Sequence, residues 1–342
     1  MPAAEPEPSG EPVTMATIAR LAGVTQPTVS RAFNHPEKLS PDTLHKIMEA
    51  VRLTGYVPNM VAGGLASNRS RMLAAIVPSI TNIIYSALVQ TFTALVRERG
   101  YQVMLMESGF DLAEEERLVR IALARRPEGL LLTGVDHSPT CRRMIQGANL
   151  PTVEVWDLGE APIDTCVGFS HDGAARAAAE WLLARGYDDF SVVSADDPRA
   201  HRRRTAFRDA VTAAGLPPPA EILLPGSASL RRGRDALSQL VADGLLNPAR
   251  RSAIFCSSDV LAQGILIEAQ ARGIVIPRDL GLMGFGDQDF AVDLHPALTT
   301  VRVDRGMLGQ RAAEALIRRI DAVAAPERRI DIGYRIIERH SA

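Results

Sequence analysis

Residues 14–34 read TMATIARLAGVTQPTVSRAFN. Thr14 can cap a first helix that carries Ile18, Ala19 and Ala22 on one face, and Gly23 breaks it. Thr25 caps a second helix with Pro27 in its first turn, where a missing N–H costs nothing. Two short helices joined by a tight glycine turn form a helix-turn-helix, a geometry steep enough for the second helix to enter a DNA major groove. Val29 and Phe33, four apart, face inward, which leaves Gln26, Pro27, Ser30, Arg31 and Asn34 outside. These are short polar groups around one arginine, as contact with bases and phosphates requires.

Working outward, Ser40-Pro41 starts a third helix striped by Leu44, Ile47 and Val51, and Gly55 ends it. Residues 1–12, rich in Pro, Glu, Ser and Gly, read as a disordered tail. Between residues 13 and 70 the bases Arg20, Arg31, Lys38, Lys46, Arg52 and Arg69 face only Glu37, Asp42 and Glu49. The head is therefore basic, although the whole chain of 342 residues has a formal charge of -2.

The composition, 46% hydrophobic and 23% charged, is that of a folded chain and excludes disorder and fibre. No apolar run reaches the roughly 18 residues of a membrane span. The N-terminus lacks a secretory apolar core, and three irregularly spaced cysteines (Cys141, Cys166, Cys256) suggest reduced thiols, so a cytoplasmic location is expected.

From Leu73 onward apolar runs alternate with helical patterns: LAAIVP, YQVMLME, GLLLT and PTVEVW, then FSVVS, EILLP, SAIFC and LGLMGF, joined by amphipathic helices. Such alternation means βαβ units in doubly wound parallel sheets. The pattern restarts after Ser170, which gives two α/β lobes and a ligand cleft at the carboxyl ends of their strands. The expected division is a tail (1–12), a helix-turn-helix domain (13–57), a hinge (58–71) and a two-lobed body (72–342). Its first lobe takes 72–169 and 297–325, so that TTVRV and helix 304–320 return there. The second takes 170–296 and 326–342, with a last strand over 329–338. No P-loop, nucleophile elbow, paired-His zinc motif or Cys-x-x-Cys occurs, so neither an enzyme nor a cofactor or metal is expected.

The stretches VTMATIARLAGVTQPTVSRAFN, LSPDTLHKIMEAVRLTGYVPN and VAGGLA together resemble the LacI/GalR family of bacterial repressors. This resemblance implies an all-α DNA-binding head on a periplasmic-binding-protein-like body, acting as a homodimer on palindromic operator DNA. Gln26 and Pro27 would set operator choice and Arg31 would contact bases. Thr14, Thr28, Ser30 and Asn34 would contact phosphate, with Thr25 beside them. Asn59 to Ser67 would be a minor-groove hinge helix with Leu65 as its wedge. Gly63-Gly64 in that helix, at about 1 kcal/mol each against Ala, implies that it folds only on DNA.

Within the body, VPSITN (77–82), YQVMLMESGF (101–110), LLLT with HSP, VEVWD (153–157) and VGF (167–169) resemble the gluconate-operon repressor branch. Arg203-Arg204-Thr205-Ala206-Phe207 fits the family's R-x-x-G-F with Ala for Gly, and IFCSSD ends in Asp259. The resemblance implies a sugar acid, such as gluconate or 2-ketogluconate, meeting Ser79, Asn82, Tyr85, Thr133, His137, Asp157, Arg203, Asp259 and Asp287. An arginine can hold such a carboxylate with two parallel hydrogen bonds. A solute-binding protein for transport shares the two-lobed body, but the helix-turn-helix argues against it.

Overall fold

The first helix, α1 (Met15–Ala22), opens on a reciprocal cap. The Thr14 hydroxyl accepts from the Thr17 N–H, and the Thr17 hydroxyl accepts from the Thr14 N–H, each at 3.3 Å. Gly23, at φ 66°, turns the chain into α2 (Gln26–Asn34). Thr25 sits at the N-cap of α2 but does not cap with its side chain; its hydroxyl meets that of Thr28 at 2.9 Å instead. The third helix, α3 (Pro41–Thr54), begins on Ser40, whose hydroxyl accepts from the Thr43 N–H. Ile18, Val29 and Ile47 meet in the core of the head, with Phe33 packed on Tyr56 at its edge. This computed structural model describes residues 12–58, 69–246, 249–323 and 327–342. The expectations for the tail and for the hinge, with Asn59, Gly63-Gly64 and Leu65, lie outside the described residues.

Residues 1–70 and 71–342 form separate compact units. In the second, β1 (Met72–Val77), α4 (Ile83–Glu98), β2 (Gln102–Glu107), α5 (Leu112–Ala124), β3 (Gly129–Thr133), α6 (Pro139–Gly147), β4 (Thr152–Val155) and β5 (Thr165–Gly168) build one lobe. The other takes α7 (His171–Ala184), β6 (Asp189–Ala195), α8 (Pro198–Ala213), β7 (Ala220–Leu224), α9 (Leu230–Ala242), β8 (Ser252–Cys256), α10 (Asp259–Arg272) and β9 (Gly281–Phe285). There follow β10 (Thr299–Arg302), α11 (Arg305–Ile320), β11 (Arg329–Asp331) and β12 (Arg335–Ile337). The sheets run β11-β5-β4-β3-β1-β2 and β12-β10-β9-β8-β6-β7. Both are parallel except that β12 pairs antiparallel with β10.

Two strands sit differently from the expected division. TTVRV joins the second sheet, with Thr300 paired to Gly284, and not the first. The stretch 329–338 is two strands, β11 in the first sheet and β12 in the second, parted at Gly333, whose φ is +68°. A buried four-residue strand carries apolar pattern but no label for its sheet; that choice is made by distant packing. Helix α11 does return to the first lobe, where Gly309 brings it against the backbone of α4: a Cβ there would lie 2.6 Å from the Leu88 carbonyl oxygen. The chain thus crosses between lobes three times, after β5, after β10 and after β11.

A second close approach stiffens the other lobe. Gly233 of α9 and Gly264 of α10 face each other, so that a Cβ on either would lie 2.2 Å from a carbonyl oxygen of the opposite helix.

Candidate functional site

In the head, Thr14, Thr25, Gln26, Pro27, Arg31 and Asn34 are exposed and Thr28 and Ser30 half-exposed. The inward positions of α2 are Val29 and Ala32. Asn34 donates its side-chain amide to the Ser30 carbonyl at 3.0 Å, which steadies the polar face. Arg31 is exposed and makes no ion pair among the described residues. This is the face expected to meet DNA.

In the body, the first turns of α8 carry Arg199 and Arg202 across to the other lobe, while Arg203 beside them is held within its own. Asp197 caps that helix by accepting from the Ala200 N–H at 2.9 Å, and the i, i+3, i+4 spacing puts all three arginines on one side. Arg199 donates to the Tyr85 hydroxyl at 3.1 Å and lies 5.7 Å over the rings of Tyr85 and Phe110. Arg202 pairs with Asp157, and with Asp136 at 3.3 Å. Arg203 donates to His171 Nδ1 at 2.9 Å and to the Ser257 carbonyl at 3.2 Å, and lies 4.3 Å over Phe285.

Aromatic rings wall this cluster. Trp156 packs on Tyr85 at 6.0 Å and edge-on to Phe169 at 5.8 Å, and Phe169 lies 4.3 Å from the ring of His171. Trp156 has φ +81°, a left-handed conformation that costs a bulky residue on the order of 1–3 kcal/mol. The Trp156 N–H donates to Val167 and its carbonyl meets His171 Nε2, each at 3.0 Å, so both backbone groups are held in place.

The electrostatics of the cluster are lopsided. Burial pulls the Arg203 guanidinium down to about 10; Asp197 opposes this and Arg199 adds to it. Burial, reinforced by Arg203, Arg199 and Arg202, holds His171 well below its usual range. Burial raises the Asp157 carboxyl against the pull of Arg202. Among the described residues no carboxylate forms an ion pair with Arg199 or Arg203, although both are more than nine-tenths buried. A buried charge without a paired counter-charge is costly.

Of the nine expected effector residues, Tyr85, Asp157 and Arg203 come together here. Ser79 and Asn82 form the turn that starts α4, with Asn82 accepting from the Ile84 N–H at 3.1 Å. Thr133 donates to the Ile76 carbonyl. Asp259 is wholly buried in the second lobe, where it accepts from the Thr300 hydroxyl at 2.6 Å and the Gln288 N–H at 2.7 Å. Asp287 pairs with Arg302 and Arg339 beside a separate cavity of about 860 Å³ between α4 and the loops around β10. His137 is enclosed in the first lobe, 2.7 Å from Glu115 and 3.3 Å from Glu154. Asp259→Asn is therefore expected to lower the stability of the body by about 1–3 kcal/mol, because an amide group then faces donors. Chemical denaturation measures it, and an unchanged midpoint would deny Asp259 its structural role.

His171, Phe169 and Phe285 have nothing in the sequence to tie them to this site, whereas Arg199 and Arg202 stand in a basic run, 199–204, whose charge suits an anion better than a cation. The spacing of the arginines was readable there; the partners of His171 were not. Glu115, His137 and Cys141 bring three donor atoms within 4.8 Å of one another. Yet 2.7 Å between His137 and Glu115 is a hydrogen bond, whereas ligands about 2.0 Å from a tetrahedral metal lie about 3.3 Å apart. The ions here are Glu115, His137 and Glu154; Cys141 beside them is a neutral thiol, pushed up to about 12 by burial and by Glu115.

Comparison with known proteins agrees with this architecture. The lacI family of bacterial regulatory proteins matches residues 14–59, and the periplasmic binding protein-like domain matches residues 179–342. The chain is 36% identical over 335 residues to the HTH-type transcriptional regulator GntR of Pseudomonas aeruginosa, covering 97% of this chain and 96% of that one. It is 28% identical to the ribose operon repressor of Escherichia coli, covering 96% of this chain and 99% of that one. A LacI family transcriptional regulator from Silicibacter pomeroyi superimposes with a TM-score of 0.90 at 28% identity, over 96% of this chain and 99% of that one. Head, two-lobed body and full-length similarity together make this chain a DNA-binding transcriptional regulator of the lacI family.

Proposed function

We propose that this regulator represses sugar-acid catabolism genes. On this reading it is a cytoplasmic homodimer on palindromic operator DNA whose effector is a sugar acid such as gluconate or 2-ketogluconate. The observation that carries the effector reading is the pair of buried arginines, Arg199 and Arg203, which form no ion pair with a carboxylate among the described residues. A ligand carboxylate would supply the missing charge, with the rings of Trp156 and Tyr85 beside it for the carbon skeleton of a polyol.

Calorimetric titration of gluconate and 2-ketogluconate tests this. Arg203→Ala is expected to weaken the acid by about 1.5–3 kcal/mol, the worth of a charged hydrogen bond, and neutral sugars less. Binding of a neutral sugar such as ribose with no binding of either acid would overturn the sugar-acid reading and leave the family assignment standing.

For the head, the exposed guanidinium of Arg31 supports base reading. Arg31→Ala is expected to remove about 1–3 kcal/mol of discrimination between operator and random DNA. Equal losses on both sequences, measured by fluorescence anisotropy, would assign Arg31 to phosphate contact alone.

A further inference from the structure

Arg202 and Arg203 are neighbours on α8, yet they end against opposite kinds of acceptor. Arg202 is met by the carboxylates of Asp157 and Asp136. Arg203 is met by a ring nitrogen and a carbonyl. The geometry around His171 explains how a neutral acceptor can serve. Its Nε2 lies 3.0 Å from the Trp156 carbonyl, which only accepts, so Nε2 carries the hydrogen. Its Nδ1 lies 2.9 Å from Arg203 Nη1, which only donates, so Nδ1 is bare. One hydrogen on the ring satisfies both contacts, and a second would set donor against donor. The ring is fixed in turn by Phe169 at 4.3 Å and by the constrained backbone of Trp156.

We propose that His171 sets the charge preference of the cleft: it positions Arg203 from an uncharged ring where a carboxylate would also fit, and so leaves the guanidinium's charge for an acidic ligand. The inference rests on the sugar-acid reading above and adds a residue to it. A carboxylate at position 171 would repeat at Arg203 what Asp157 does at Arg202, giving the arginine an internal counter-ion that an incoming acid must displace.

The experiment is calorimetric titration of the full-length protein with gluconate, comparing wild type, His171→Asn and His171→Asp, each also in an Arg203→Ala background. His171→Asn keeps an uncharged acceptor and is expected to bind within about threefold of wild type. His171→Asp is expected to bind at least about tenfold more weakly, as a charged hydrogen bond to the ligand is lost. In the Arg203→Ala background the Asp penalty should largely vanish, which is the signature of one residue acting through another. Near-wild-type binding by His171→Asp, an equal loss in His171→Asn, or a penalty that persists without Arg203 would each overturn the proposal. Should His171→Asp not fold, His171→Leu takes its place. It removes the acceptor, so it is expected to bind about tenfold more weakly than His171→Asn, and equal affinity would overturn the proposal. A wild type that binds neither gluconate nor 2-ketogluconate overturns the sugar-acid reading and this inference with it. A wild type that binds while His171→Asp is silent overturns the inference alone.

Discussion

His137→Ala is expected to destabilise the body by about 3–5 kcal/mol, because it removes the cation between two buried carboxylates. The side chains of His137 and Glu154 are completely enclosed and that of Glu115 nearly so. Burial alone would push His137 down, but its bonds to Glu115 and Glu154, with their charges, raise it to about 9. A histidine whose folded value lies above its unfolded value contributes fully below the unfolded value and loses that contribution as pH rises through the folded one. Wild-type stability is therefore expected to fall between about pH 6.5 and 9, and that slope should be absent from His137→Ala. Urea denaturation at the two ends of the window measures both. A histidine variant with the wild-type slope would show that the titration belongs to another group.

The next largest effect is expected from Gly264→Ala. The added methyl would meet the Leu230 carbonyl oxygen at 2.2 Å and the Cα of Gly233 at 2.9 Å, both backbone atoms that cannot swing aside. Overpacking usually costs about 1–3 kcal/mol, and a clash with backbone belongs at or above the upper end. Helices α9 and α10 must then separate, and Leu237, Leu261 and Ile265 lose part of their packing. Thermal unfolding of the variant reads the loss directly. A melting point within a degree of wild type would mean that the helices already tolerate a wider spacing.

What could be read from the sequence was what is local. Thr14, Gly23, Ser40 and Gly55 declare the ends of their helices within a few residues, so the head could be drawn from its caps. In the body, alternation fixed the order of strands and helices but not the sheet that receives β10, β11 and β12, because those partners lie far along the chain. The site shows the same divide. Arg203 carries a motif of its own, while Arg199 and Arg202 show in the sequence as members of a basic run, 199–204, that suits an anion. His171 is separated by 15 residues from Trp156 and by 32 from Arg203, and nothing near it announces either partner. Asp259 and His137 were expected to face the effector. Both turn inward to satisfy donors or charges of their own lobe, since a buried carboxylate or imidazolium needs such partners wherever it lies.

The three crossings between the sheets, each only a few residues long, have a mechanical consequence. Two rigid bodies on one tether can tumble through six coordinates; on three short tethers little survives beyond an opening angle. The body is in this sense a pair of jaws. On the proposed reading, an effector bound between the lobes would act on that one angle, turning one jaw against the other.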